Sequence, residues 1–112
     1  MGFFSQMFGG GGAISPQEAR ERMEKANNFV LLDVRTPAEF RQIRIKGARL
    51  IPVDQLTTKA AAELPDKDVP ILIYCASGAR ADSAVRILSR MGYTNVVSFG
   101  GIMYWPYETV SG

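Results

Sequence analysis

Two short runs, Phe29 to Val34 (FVLLDV) and Val69 to Tyr74 (VPILIY), constrain this chain more than any other feature. Both are rich in β-formers, and neither alternates between apolar and polar positions. A strand of that kind is buried on both faces, which occurs where helices cover both sides of a parallel sheet.

The segments between and around these runs supply the helices. Ser15 suits an N-cap, with Pro16 in the first helical position and Glu18 three residues on, so a helix is expected to about Ala26. Thr36, Pro37 and Glu39 repeat the pattern for a second short helix to about Arg41. A brief strand follows over Ala48 to Ile51, stopped by Pro52, and Asp54 is expected to cap a helix to about Leu64. Ala79 to Met91 carries Val85, Leu88 and Met91 among its apolar positions and ends at Gly92, as a helix. Val96 to Phe99 reads as the last strand, followed by Gly100-Gly101 as a tight turn and a short closing helix near Met103. Strands alternating with helices predict an α/β fold with a central parallel sheet flanked by helices on both faces. Residues 1–12 end in the run Gly9 to Gly12 and read as a flexible tail, leaving residues 13–112 as one domain.

Composition narrows the chemistry. The 112 residues contain one cysteine and no histidine. One cysteine excludes an intrachain disulfide and fits a reducing compartment. The lack of histidine excludes Ser-His-Asp and Cys-His catalysis and removes the commonest zinc sites; neither a metal nor an organic cofactor is expected. A net charge of +2 without a Lys/Arg block gives no reason to expect nucleic acid. No stretch approaches the roughly 18 apolar residues of a membrane span. The N-terminus lacks the basic start and long apolar core of a signal peptide, and Gln6 breaks the myristoylation pattern. A cytoplasmic monomer is the expectation.

The single cysteine stands where an apolar strand meets a helix. Cys75 is followed by Ala76, Ser77, Gly78 and Ala79, all small, and then by Arg80. Small side chains let the backbone wrap tightly, and Gly78 is free to take a positive φ. Successive N–H groups then point inward as an anion nest, and the helix N-terminus adds partial positive charge. A cysteine there becomes nucleophilic without a histidine base. In open α/β sheets such a position, beyond the carboxyl ends of the strands, is where ligands bind. The same end of the sheet holds Asp33 and Arg35, which either brace the active loop and shape the site or form a structural ion pair or cap.

From about Ile14 to Tyr107 the sequence resembles the rhodanese family of single-domain sulfurtransferases. The segment Cys75-Ala76-Ser77-Gly78-Ala79-Arg80 is similar to its active loop, and Leu32-Asp33-Val34-Arg35 with Glu39-Phe40 to its D-V-R…E-F segment. Lys46-Gly47-Ala48 with Ile51-Pro52 resembles its G-A…I-P segment, and Phe99-Gly100-Gly101 with Trp105 its G-G…W segment. The resemblance implies a rhodanese-like fold and transfer of sulfane sulfur through a persulfide on Cys75. The donor would be thiosulfate or a persulfide and the acceptor cyanide, a thiol or a sulfur-relay protein. The six residues from Cys75 to Arg80 match the family's sulfur-transfer loops, whereas related phosphatases have a loop one residue longer. Ile43-Arg44-Ile45 departs from the family's G-H-I triplet, which bears on donor preference and leaves the cysteine chemistry intact.

Several residues keep two readings at this point. Arg80 either contacts an incoming anion or points outward and holds the loop. Ser77 either offers its hydroxyl or is merely small. Arg41, Arg44, Lys46 and Arg49 form either a steering patch or a solvated face. Tyr104, Trp105 and Tyr107 are expected to cover the core. Rival functions on the same cradle are arsenate reduction or phosphate-ester hydrolysis, an inactive binding module, and a sulfur carrier with incidental thiosulfate activity.

Overall fold

The structure, a computed structural model, describes residues 12–112; the tail reading for residues 1–11 lies outside them. Among the described residues four α-helices and six strands follow in the order α1 (Pro16–Lys25), β1 (Val30–Asp33), α2 (Pro37–Gln42), β2 (Arg44–Ile45), β3 (Arg49–Leu50), α3 (Leu56–Glu63), β4 (Ile71–Cys75), α4 (Ala79–Arg90), β5 (Val96–Gly101) and β6 (Thr109–Val110).

The helix starts obey their local chemistry. The Ser15 side chain accepts from the Glu18 N–H at 3.0 Å. Thr36 and Glu39 close a complete capping box, each side chain accepting from the other's backbone N–H. The expected cap at Asp54 is not made. Val53–Gln55 forms a 3-10 turn after Pro52, and α3 starts at Leu56 without a side-chain cap. Asp54 is thereby carried inside the turn, where its carboxylate is no longer at the helix entrance. At the other end of α3 the Tyr93 hydroxyl lies 2.6 Å from the Leu64 carbonyl oxygen and 3.0 Å from that of Ala60.

The main sheet is parallel with strand order β3-β1-β4-β5. All four residues of β1 and all five of β4 are buried, as their apolar runs lead one to expect, with Asp33 at the end of β1 buried as the partner of Arg35. Alternation along each strand then assigns faces. Val30, Leu32, Ile71, Ile73 and Cys75 pack with Leu56 and Ala60 of α3 and with Ala81, Ala84, Val85 and Leu88 of α4. Leu31, Leu72 and Tyr74 point the other way, toward Ala19 of α1, Phe99 and Trp105. Helices therefore cover both faces.

The chain passes from β1 to β3 on one side and returns through α3 to β4 on the other, so strand order reverses between β1 and β4. The crevice at such a reversal, beyond the carboxyl ends, is the standard ligand position of open α/β sheets. Asp33 ends β1 and Cys75 ends β4.

Two features of the sheet differ from expectation. Gly100-Gly101 is part of β5 instead of a turn: Ile73 pairs with Ser98 but Cys75 with Gly101, so β5 holds one extra residue. Gly100, at φ +91, takes up that β-bulge. A second, antiparallel sheet of β2 and β6 was not foreseen. Two-residue strands give too short a pattern to read, and this pair joins Arg44 to Val110, 66 residues apart. The expected aromatic cover is made by Phe99, Trp105 and Tyr107, whose ring centroids lie 5.3 and 4.9 Å apart in succession. Tyr104 is exposed and does not join it.

Candidate active site

The alternation that sends Ile71 and Ile73 toward α4 sends Cys75 there too, at the mouth of the turn that starts that helix. Cys75 is 1% exposed. Its Sγ accepts a hydrogen bond from the Gly78 N–H at 3.0 Å and lies 3.9 Å from the Gly100 carbonyl oxygen. Gly78 makes this possible at φ +133, a region that side-chain-bearing residues rarely enter. The Gly78 carbonyl in turn accepts from the Asp82 N–H at 2.9 Å, so one residue serves both the sulfur and the first turn of α4. The helix is twelve residues long and brings its positive end to the loop.

The loop is braced from behind by the end of β5. A Cβ on Gly101 would collide with the Ala76 carbonyl group and Ser77 backbone, so this position has no room for a side chain. The Ala76 carbonyl oxygen also accepts from the Met103 N–H at 3.3 Å. Ser98 Oγ and Asp82 Oδ1, 2.8 Å apart, tie β5 to α4. Within the loop Ser77 and Ala79 are exposed, while Ala76, Gly78 and Arg80 are half-buried.

Arg80 points to α2. Its Nη1 and Nη2 donate to Glu39 Oε1 and Oε2 at 2.8 and 3.0 Å. Glu39 is held for this by the capping box, since its Oε1 also accepts from the Thr36 N–H at 2.9 Å. The bond from Arg80 lowers the Glu39 carboxyl to about 2, against the opposing effect of partial burial. The bond from Glu39 raises the Arg80 pKa, and the nearby Cys75 and Asp33 charges act in the same direction.

Asp33 and Arg35 form a second pair, at 0% and 3% exposure. Arg35 Nε lies 3.0 and 3.1 Å from the two carboxylate oxygens, its Nη2 is 2.7 Å from Oδ2, and its backbone N–H donates to Oδ1 at 2.9 Å. Nη2 also donates to the Ile43 carbonyl at 2.6 Å. Burial disfavours the Arg35 charge, yet the bond and charge of Asp33 outweigh it and raise the pKa. Below the guanidinium, 5.5 Å from its carbon, lies the Tyr74 ring, whose hydroxyl accepts from the Ile45 N–H at 3.1 Å. Burial pushes that hydroxyl's pKa far up.

The structure thus brings Cys75, the loop and Arg80 together, with Asp33 and Arg35 at the neighbouring strand end. Among the described residues no group of three or more His, Cys, Asp or Glu is arranged to hold a metal. Likewise, no helix among them is long and apolar enough to cross a membrane. The basic stretch divides: Arg44 donates to the Phe40 and Gly112 carbonyls and Arg49 to the Glu63 carbonyl, so both pin backbone.

Comparison with known proteins decides the family. Residues 15–106 match the family model described as a rhodanese-like domain. The chain belongs to the rhodanese-like family. It is 38% identical over 71 residues to the thiosulfate sulfurtransferase PspE of Escherichia coli, covering 63% of this chain and 68% of that protein. It is 33% identical over 104 residues to the thiosulfate sulfurtransferase GlpE of Ectopseudomonas mendocina, covering 88% and 92%. A solved structure described as a rhodanese with anions from E. coli superposes with a TM-score of 0.69 at 35% identity, covering 74% of this chain and 98% of that one. Some longer relatives carry the matched region as a quarter of their length.

The residue that sequence reasoning missed in this rhodanese-like site is Glu39. It was visible as a capping residue and as part of the E-F segment. Its second role depends on Arg80, 41 residues further on, and no local pattern signals that pairing.

Proposed function

We propose that this rhodanese-like chain is a sulfurtransferase that carries sulfane sulfur as a persulfide on Cys75. The observation that carries the reading is the Gly78 N–H aimed at Sγ from 3.0 Å, at the positive end of α4 and on the chain's sole cysteine. A backbone donor and a helix terminus stabilise a thiolate, and they do the same for the anionic persulfide that replaces it.

In the first step the Cys75 thiolate attacks the outer sulfur of thiosulfate. A Cys75 S–S bond forms, the donor's S–S bond breaks, and the electron pair leaves with sulfite. In the second step cyanide or a thiolate attacks the outer sulfur of the persulfide and regenerates the Cys75 thiolate. This is covalent catalysis in two displacements. No second cysteine is available to discharge the persulfide internally, so the acceptor is a small nucleophile or a sulfur-relay protein. The names of PspE and GlpE support thiosulfate as a donor.

Intact-mass spectrometry tests the reading. After thiosulfate treatment the wild type should gain the mass of one sulfur atom and lose it on adding cyanide, while Cys75→Ser gains nothing. Absence of the gain with both thiosulfate and a small-molecule persulfide would refute it.

A further inference from the structure

Two guanidiniums at the active-loop end of the sheet both face carboxylates. Arg35 is enclosed by Asp33, and Arg80 has both terminal nitrogens on Glu39. The end-on fork that Arg80 could offer to an oxyanion is therefore occupied. Asp82, in the first turn of α4, adds a third carboxylate at the same end of the fold. What remains for an incoming anion is backbone N–H groups and the partial charge of a helix terminus, roughly half an elementary charge. Glu39 does not drift into this arrangement. The capping box fixes its carboxylate from the α2 side, and Thr36 N–H and Arg80 Nη1 share one of its oxygens.

We propose that Glu39 is a positioning residue that sets donor selectivity: by holding and neutralising Arg80, it withholds from the Cys75 loop the positive charge that would favour dianionic donors over less charged ones. The inference rests on the sulfur-transfer reading above and names the charge class of its donor. Glu39 stays ionised throughout the neutral range, because Arg80 keeps its carboxyl near 2.

The test compares thiosulfate, a dianion, with methanethiosulfonate, a monoanion that presents the same transferable sulfur. Its leaving group is methanesulfinate, which departs with the electron pair as sulfite does from thiosulfate. Thiocyanate formation from cyanide is followed at low ionic strength, where screening is weakest. Gln also satisfies a capping box, so Glu39→Gln removes the charge and keeps the helix start. At a water-like dielectric and a separation of about 8 Å, its KM should fall about fivefold for thiosulfate and about twofold for methanethiosulfonate. The change should fall on KM and leave kcat within about twofold, since no reacting atom is touched. Arg80→Gln leaves Glu39 unpaired and should do the reverse, raising KM more for thiosulfate than for methanethiosulfonate.

Equal changes for the two donors, or none, would overturn the inference in either variant. If Glu39→Gln proves unfolded, Arg80→Gln carries the decision alone. If the wild type transfers sulfur from neither donor and gains no mass on Cys75, the sulfur-transfer reading is what fails.

Discussion

The two arginine–carboxylate pairs beside the active loop share their chemistry and differ in burial. Asp33 and Arg35 are two residues apart and almost completely enclosed. Glu39 and Arg80 are 41 residues apart, and their side chains are 33% and 36% exposed. Both arginines fork onto both oxygens of their carboxylate. The enclosed pair has no water to fall back on, so each charge needs the other, and it also carries the Ile43 carbonyl that links α2 to β2. The half-exposed pair can exchange its bonds for water at little cost. One pair holds the end of β1 together; the other sets the charge at the mouth of the loop.

The largest effect expected from this contrast is on stability. Asp33→Asn leaves the Arg35 guanidinium buried without a counter-charge and should destabilise the fold by about 3–5 kcal/mol, measured by urea unfolding. A loss below about 1 kcal/mol would put the two pairs in one class and break the comparison. Glu39→Gln should cost less than about 1 kcal/mol in the same assay, because solvent screens a pair that is a third exposed.

The smallest effect is on acid stability. Glu39 has its carboxyl lowered from 4.5 to about 2 in the folded chain, so its contribution is present above about pH 4.5 and is lost as pH falls toward 2. Between those limits the wild-type melting temperature should drop slightly more than that of Glu39→Gln. Parallel acid profiles for the two proteins would show that the pair adds nothing to stability and would sharpen the view that its effect is on donor charge.

The legible parts of this protein are those where one short segment contains its own reason. The Thr36–Glu39 capping box is complete within four residues, and β4 announces its burial by four consecutive apolar or aromatic positions followed by cysteine. The loop after Cys75 is readable because a tight turn into a helix needs small residues and a glycine at φ +133. Asp54 was misread for the opposite reason: a carboxylate before a helical run is a cap only if the chain enters the helix there. A 3-10 turn after Pro52 moved the entrance to Leu56. Gly100-Gly101 reads equally well as a turn or a bulge, since both need glycine, and only pairing with Cys75 chooses between them.

By itself the sequence determined the four helices and the four strands of the main sheet, that this sheet is parallel and covered on both faces, and which thiol sits at the mouth of a helix. These follow from propensity, apolar run length and capping, all of which act over a few residues. Tertiary structure alone decided that the Arg80 guanidinium faces Glu39. It also placed Gly101 against Ala76 so closely that no side chain fits, and joined β2 to β6. Those contacts are made between residues tens of positions apart. Their geometry is set by the packing of whole elements, and no local pattern records it.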